Sequence, residues 1–199
     1  MPKLVDHDVR RSRIAEAVWR IATSRGLQGV TFREVAVEAE VSVSLVQHYF
    51  GTKEGLLIWS LNHNTAHMGA RIARRVRRAG AAATPRQVLT IVLSSFLPTD
   101  AESRMHMLVY HAFSAAALTD PALRADGAFD NAAVLTRHLA DQLHVAAPRR
   151  ENRSVDQDRD AQALLALVLG LSLSVLLAQN SAQEATAILD RHLDRLVQS

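Results

Sequence analysis

No cysteine occurs anywhere in the 199 residues, which excludes disulfides, thiol nucleophiles and thiolate metal sites. Glycine is sparse, at 8 residues, and none of it forms a phosphate-cradling loop; a nucleophile elbow, an HExxH pair and a paired-carboxylate frame are also missing. A helical enzyme built on this chain would have to use His106 or His111 as a base beside Asp100 or Glu102, or Ser114 for acyl transfer. His63 and His67 share a helix face, and His106 and His111 sit on another helix, which raises a divalent-metal reading that nothing else in the sequence supports. We therefore expect no enzyme, no cofactor and no metal. Long hydrophobic runs are lacking too. The most apolar stretch, Ala161 to Ala178, is broken by Gln162, Gly170, Ser172 and Ser174 and follows the charged run Asp156, Asp158, Arg159, Asp160, so it reads as a buried helix. The N-terminus carries Lys3, Asp6, His7 and Asp8 instead of the apolar core of a leader, and a cytoplasmic protein is expected.

What is present is 48 % hydrophobic content, enough for one substantial core or for a small domain attached to a larger one. The net charge of +3 is unevenly placed: residues 1–80 carry 13 Lys plus Arg against 7 Asp plus Glu, and residues 81–199 carry 10 against 13. A basic half is where a polyanion binds, although an unevenly charged solvated surface has the same count.

Apolar residues Ile14, Ala17, Val18, Ile21 and Ala22 recur at helical spacing and predict an amphipathic helix over Arg11–Ser24, ended by Gly26, with Leu27 folding back onto it. Thr31 with Glu34 has capping-box spacing and predicts a helix from Phe32 to about Glu38 with Val35 and Ala36 inward. Ser42 is a second cap, before a helix over Val43–Tyr49. Two short helices joined this tightly make a helix-turn-helix. Val46 and Phe50 can dock on the preceding helices, leaving Ser44, Gln47 and His48 outward with Val43 and Leu45 nearby. That side suits a DNA major groove, and it equally suits a helical hairpin that serves only as core.

The run from Thr31 to Leu57, TFREVAVEAEVSVSLVQHYFGTKEGLL, preceded by the Ile14 to Gly26 helix, resembles the N-terminal domain of the TetR family of repressors. The resemblance implies a recognition helix over Ser42–Tyr49, phosphate contacts from Thr31, Tyr49 and Lys53, and base-edge contacts among Val43, Ser44, Gln47 and His48. Leu45 and Gln47 stand where the family commonly has a small hydroxyl residue and an aromatic; Leu45 then reads a thymine methyl or packs. Arg10, Arg11 and Arg13 are candidates for flanking phosphates, or for plain surface charge.

Beyond this unit, Lys53–Ala79 reads as one long helix closing on Arg71, Arg74, Arg75, Arg77 and Arg78. Arginines in a last turn favour the negative helix end, and an acidic ligand or DNA contact is the alternative. Thr84-Pro85 opens a helix to about Leu97, Ala101–Leu118 forms the next, and Asp120 caps another running to about Val145. A charged loop over Ala146–Asp156 then leads to closing helices over about Asp158–Gln179 and Ala182–Val197. Glu102 to Ala125, through Arg104 and Asp120-Pro-Ala-Leu, resembles the C-terminal domain of the betaine-repressor branch; this does not name a ligand.

The expected fold is all-α with about nine helices: a three-helix helix-turn-helix domain over 1–52 and a helical ligand-binding and dimerisation domain over 53–199. Family architecture implies an effector cavity in the body, for which the candidate linings are Trp59, His63, His67, Met68, His106, Met107, Tyr110, His111, Phe113 and Phe129. In the first closing helix Leu164, Leu165, Val168, Leu171, Val175 and Leu176 form one apolar face while Leu167, Leu169, Leu173 and Leu177 make its flank apolar. The last helix adds Ile188, Leu189, His192, Leu193 and Leu196. This surplus predicts a homodimer through an intermolecular four-helix bundle, against the alternative of a helix buried in its own chain. The expectation is then a ligand-responsive repressor that binds an inverted-repeat DNA operator as a dimer and is released by a small molecule; the alternatives are a helical enzyme or a non-sensing architectural DNA binder.

Overall fold

The computed structural model describes residues 3–124, 131–146 and 153–198. Phe129 and most of the expected 146–156 loop lie outside the described residues. These residues are all-α: α1 (Lys3–Arg25), α2 (Phe32–Ala39), α3 (Val43–Phe50), α4 (Lys53–Ala79), α5 (Pro85–Ser94), α6 (Ala101–Thr119), α7 (Asn131–Ala146), α8 (Arg153–Leu176) and α9 (Ala182–Gln198), with 3₁₀ turns at Leu27–Gly29 and Pro121–Arg124.

Contacts divide the chain into two compact units, one of residues up to His67 with those from Leu108 to Arg124, the other of residues 68–107 with those from α7 onward. In the first unit the predicted face of α1, Ile14, Ala17, Val18, Ile21 and Ala22, is buried with Val35, Ala36 and Ala39 of α2, Val46 of α3, and Leu56, Leu57 and Leu61 of α4. Gly26 ends α1 at φ 73°, its N–H donating to Ala22 O at 3.1 Å. Such a φ excludes most side chains.

Helix α1 begins at Lys3, not Arg11. No apolar face marks those extra turns, and Val9 is exposed, so the periodicity that located the rest of the helix was silent there. The extension gains a distant partner: His7 Nδ1 lies 2.7 Å from Tyr49 Oη of α3. The Thr31–Glu34 box forms by half. The Glu34 N–H donates to Thr31 Oγ1 at 3.1 Å, but the Glu34 carboxylate accepts instead from Arg25 at 2.8 Å.

In the second unit α7 packs on α8 and α5, and α9 on α5 and α8. Their shared core is Leu89, Leu93, Leu139, Leu143, Leu164, Val168, Leu189 and Leu193, all buried. Arg86 of α5 reaches Asp190 and Asp194 of α9 at 3.2 and 2.8 Å. Helix α5 stops at Ser94, short of the expected Leu97, because Ser94 and Ser95 turn their hydroxyls back to Ile91 O and Pro98 disfavours a helical residue before it. Asp120 Oδ1 caps a 3₁₀ turn by accepting from the Ala122 N–H at 3.0 Å; the helix expected to follow without interruption is α7, which starts at Asn131. Helix α8 starts at Arg153 and ends at Leu176, before a positive-φ residue, Ala178 at 57°.

Candidate nucleic-acid interface

Three local features set the angle between α2 and α3. The α2 helix ends on Glu40, a left-handed residue (φ 55°, ψ 47°) whose N–H bonds back to α2. Val41 N–H closes on Ala36 O at 2.9 Å, and Ser42 Oγ then accepts from the Leu45 N–H at 3.2 Å. At the far end Gly51 (φ 68°) turns the chain, and Thr52 Oγ1 accepts from the Gly55 N–H at 3.0 Å to start α4. Gly55 packs against the carbonyl of Phe50: a Cβ there would lie 2.6 Å from that oxygen. No larger residue fits without moving α3 relative to the start of α4.

The outward face of α3 presents Val43, Ser44, Gln47 and His48, with Ser42 at its cap; all are exposed. Leu45 is half-buried and Val46 fully buried, holding the helix to the core. The Ser42 and Ser44 hydroxyls lie 3.1 Å apart. Thr31 is exposed at the N-terminus of α2, and Lys53 and Tyr49 are half-buried near the two ends of the α3–α4 turn.

The electrostatics around α3 follow from α1. Glu34 and Glu38 of α2 and Glu40 of the turn pair with Arg25, Arg20 and Arg13 at 2.8, 2.6 and 2.6 Å. Exposed pairs like these add little stability. Their consequence is that no carboxylate of α2 or the turn stands uncompensated, and α3 has none in its sequence. Arg13 is thus committed to Glu40, and Arg11 lies over the rings of Trp59 and Phe50, 4.9 and 5.6 Å from their centroids. These are the places of two of the arginines considered from sequence for flanking phosphates. Sequence reasoning missed Arg33, exposed on α2 with no ion-pair partner among the described residues; its place one residue into the helix was the available signal.

The effector candidates fall in different units. Trp59, His63 and His67 come together with Trp19: His63 stacks on Trp59 (4.9 Å, 14°) and on Trp19 (5.5 Å, 29°), and lies 4.5 Å from His67. Trp19 Nε1–H donates to Ser60 O at 3.0 Å. Burial, and then the adjacent His67, push His63 down to about 4; its Nε2 is buried without a hydrogen-bond partner among the described residues. In the same unit, Tyr110 and His111 are half-buried with rings 5.5 Å apart, Phe113 is buried, and burial lowers His111. Met68, His106 and Met107 belong to the second unit and are buried, with His106 Nε2 3.8 Å from Glu102. Among the described residues no group of three or more His, Asp or Glu gathers as a metal site, and the Ser114 hydroxyl has no hydrogen-bond partner to activate it.

The dimer candidates separate by burial. Leu164, Val168, Leu171, Leu189 and Leu193 face their own core and have no surface left for a partner. Val175, His192 and Leu196 are half-buried and Ile188 is exposed. An exposed row on α8 is Ala163, Ala166, Gly170 and Leu173, continued by Leu177 just beyond the helix. Gln157–Leu176 is long and apolar enough to cross a membrane by length and composition, and only 33 % of it is buried within the chain.

Comparison with known proteins gives a consistent result. Residues 14–58 match the family model described as bacterial regulatory proteins, tetR family, and residues 85–198 match BetI-type transcriptional repressor, C-terminal. The HTH-type transcriptional regulator PksA of Bacillus subtilis (strain 168) is 33 % identical over 177 residues, covering 89 % of this chain and 83 % of that protein. The HTH-type transcriptional regulator BetI of Burkholderia mallei (strain NCTC 10229) is 31 % identical over 199 residues, 99 % and 98 % of the two chains. A crystal structure of a transcriptional regulator from Rhodococcus sp. Rha1 superposes with a TM-score of 0.80 at 27 % identity, covering 94 % and 96 %.

Proposed function

Since the chain belongs to the tetR family of bacterial regulatory proteins, we propose that it is a repressor that reads an inverted-repeat operator as a homodimer and releases it when a small molecule binds its body. The observation that carries this reading is the α3 face: exposed, mostly polar and free of carboxylate, with the acidic groups of α2 and its following turn neutralised from α1.

In this reading residues 1–52 supply the DNA-binding domain and 53–199 the effector and dimerisation domain. Gln47 matches the donor–acceptor pair of an adenine edge, and Ser44, His48 and Val43 flank it. Ser42, Thr31, Tyr49, Lys53 and the newly recognised Arg33 hold phosphates, which position the helix without reading sequence. The 2.7 Å contact with His7 Nδ1 fixes the position of the Tyr49 hydroxyl. Half-buried Leu45 packs.

A single helix of eight residues (Val43–Phe50) is a weak reader, and pairing two of them about one turn of B-DNA apart, roughly 34 Å, supplies affinity and palindrome specificity. The exposed row of α8 with Ile188 of α9 provides the apolar surface for that pairing, which moves the interface outward from the faces picked in sequence. Effector chemistry rests on the aromatic and imidazole groups of the first unit, Trp59, His63, His67, Tyr110 and His111. A ligand there acts only by binding the two dimer shapes with different affinity.

The test is quantitative operator selection with the full chain. Selected duplexes are expected to carry an inverted repeat and to bind at least a hundredfold more tightly than random duplex at physiological salt. Equal affinity for both refutes the regulator, and an operator affinity that no metabolite of a broad panel changes leaves a non-sensing architectural binder instead.

A further inference from the structure

Helix α4 carries Arg71, Arg74, Arg75 and Arg78 at i, i+3, i+4 and i+7, so four guanidinium groups share one face, where like charges at these spacings oppose helix formation. Interaction with the helix C-terminus accounts for Arg77 and Arg78, the basic residues of the last turn; it does not extend to Arg71, Arg74 and Arg75, because the effect fades beyond that turn.

With Glu102, the four arginines line a cleft holding about 410 Å³ of open space. Their partners leave charge over. Arg71 spends its fork on both oxygens of Asp100, which holds that carboxyl well below the usual carboxylate range. Glu102 is divided among Arg71 at 3.8 Å, Arg74 at 3.9 Å and His106 at 3.8 Å, all longer than a hydrogen bond. Arg75 is half-buried and held by neutral hydroxyls, Ser95 Oγ at 2.6 Å and Ser94 Oγ at 3.2 Å. Those bonds fix its position but bring no counter-charge, and desolvation followed by Arg71 lowers its proton affinity. Arg78 has no ion-pair partner among the described residues. Asp100 and Glu102 together therefore leave two of the four positive charges uncompensated around an open, polar space.

We propose that this cleft is a binding site for a compact dianion, a dicarboxylate or a phosphate monoester. Positioned guanidinium forks accept both groups through paired, charge-assisted hydrogen bonds. Glu102 at the same site disfavours more highly charged anions. The four arginines and Glu102 carry no DNA or effector role in the repressor reading, and the site does not depend on that reading.

The test is calorimetric titration of the full chain with inorganic phosphate and, separately, with succinate, at constant ionic strength held with sodium chloride. Saturable binding of either probe is expected, and the tighter one identifies the source. The double variant Arg74→Gln, Arg78→Gln replaces two exposed side chains and should weaken binding at least tenfold while keeping its circular dichroism. Glu102→Gln should tighten binding several-fold, a gain that a misfolded variant does not produce. Heats that follow ionic strength alone, or a double variant with unchanged affinity, overturn the proposal. So does a third outcome: neither probe binds, but the double variant lowers the salt dependence of duplex binding, which assigns the arginines to the DNA backbone.

Discussion

The ring of His63, stacked between Trp59 and Trp19 and pushed down to about 4, makes stability depend on pH in a defined direction. The unfolded chain takes up a proton at this residue near its ordinary value of 6.5, whereas the folded chain resists until about 4. Below the unfolded value the unfolded state binds more protons, so the contribution is intact at neutral pH and lost as the pH falls from about 6.5 towards 4. Between about pH 7 and pH 5 an unscreened ring costs ~2 kcal/mol, and partial solvent access brings that to ~1 kcal/mol. His63→Phe retains an aromatic ring and removes the proton, so its stability should be flatter over this interval by that amount. Urea unfolding of both proteins at the two pH values and one fixed protein concentration measures the double difference. His67 lies 4.5 Å away and adds to the lowering of His63; His67→Gln removes that part and isolates the effect of burial. A His63→Phe protein that loses as much stability on acidification as the parent refutes the reasoning.

Five further outcomes are expected. Gln47→Ala should relax discrimination at one operator base pair by about 1–3 kcal/mol, while Lys53→Ala should weaken every duplex alike and reduce the salt slope by about one unit, both read by fluorescence anisotropy. Gly55→Ala should destabilise the protein by about 1–3 kcal/mol, because its methyl meets the Phe50 carbonyl; an unchanged urea midpoint contradicts that close approach. Glu40→Gly should stabilise by ~0.5 kcal/mol, since relief of a left-handed non-glycine residue outweighs loss of its exposed Arg13 pair. Leu173→Asp with Leu177→Asp should produce folded monomers in sedimentation at low micromolar concentration, and a persistent dimer rules out this face of α8.

The helices with an apolar stripe were legible from sequence, including both bounds of α4 and the caps at Thr31, Ser42 and Thr84. The exposed row of α3 was legible too, because burial of Val46 dictates what faces away from it. The first turns of α1 were not: Val9 there is exposed, and the tie of that segment to Tyr49 spans 42 residues. Nor was the allocation of α8, where nearly every side chain is apolar and composition alone does not separate the core row of Leu164 and Val168 from the outer row of Leu173 and Leu177. The arginine–glutamate pairs from α1 to α2 and its following turn were invisible for a related reason. Their sequence separations of 9 to 27 residues are set by tertiary packing, not by helical repeat.

The stack around His63 also determines what light reports about this chain. Its two indoles, Trp19 and Trp59, share one imidazole, and its two phenols, Tyr49 and Tyr110, lie in the same compact unit. Emission from these rings is therefore an optical record of the first unit alone, while far-ultraviolet dichroism sums over the helices of both. Melting followed in both channels becomes a test of cooperativity without any introduced label: coincident curves mean that the halves unfold as one, and separated curves give each half its own transition.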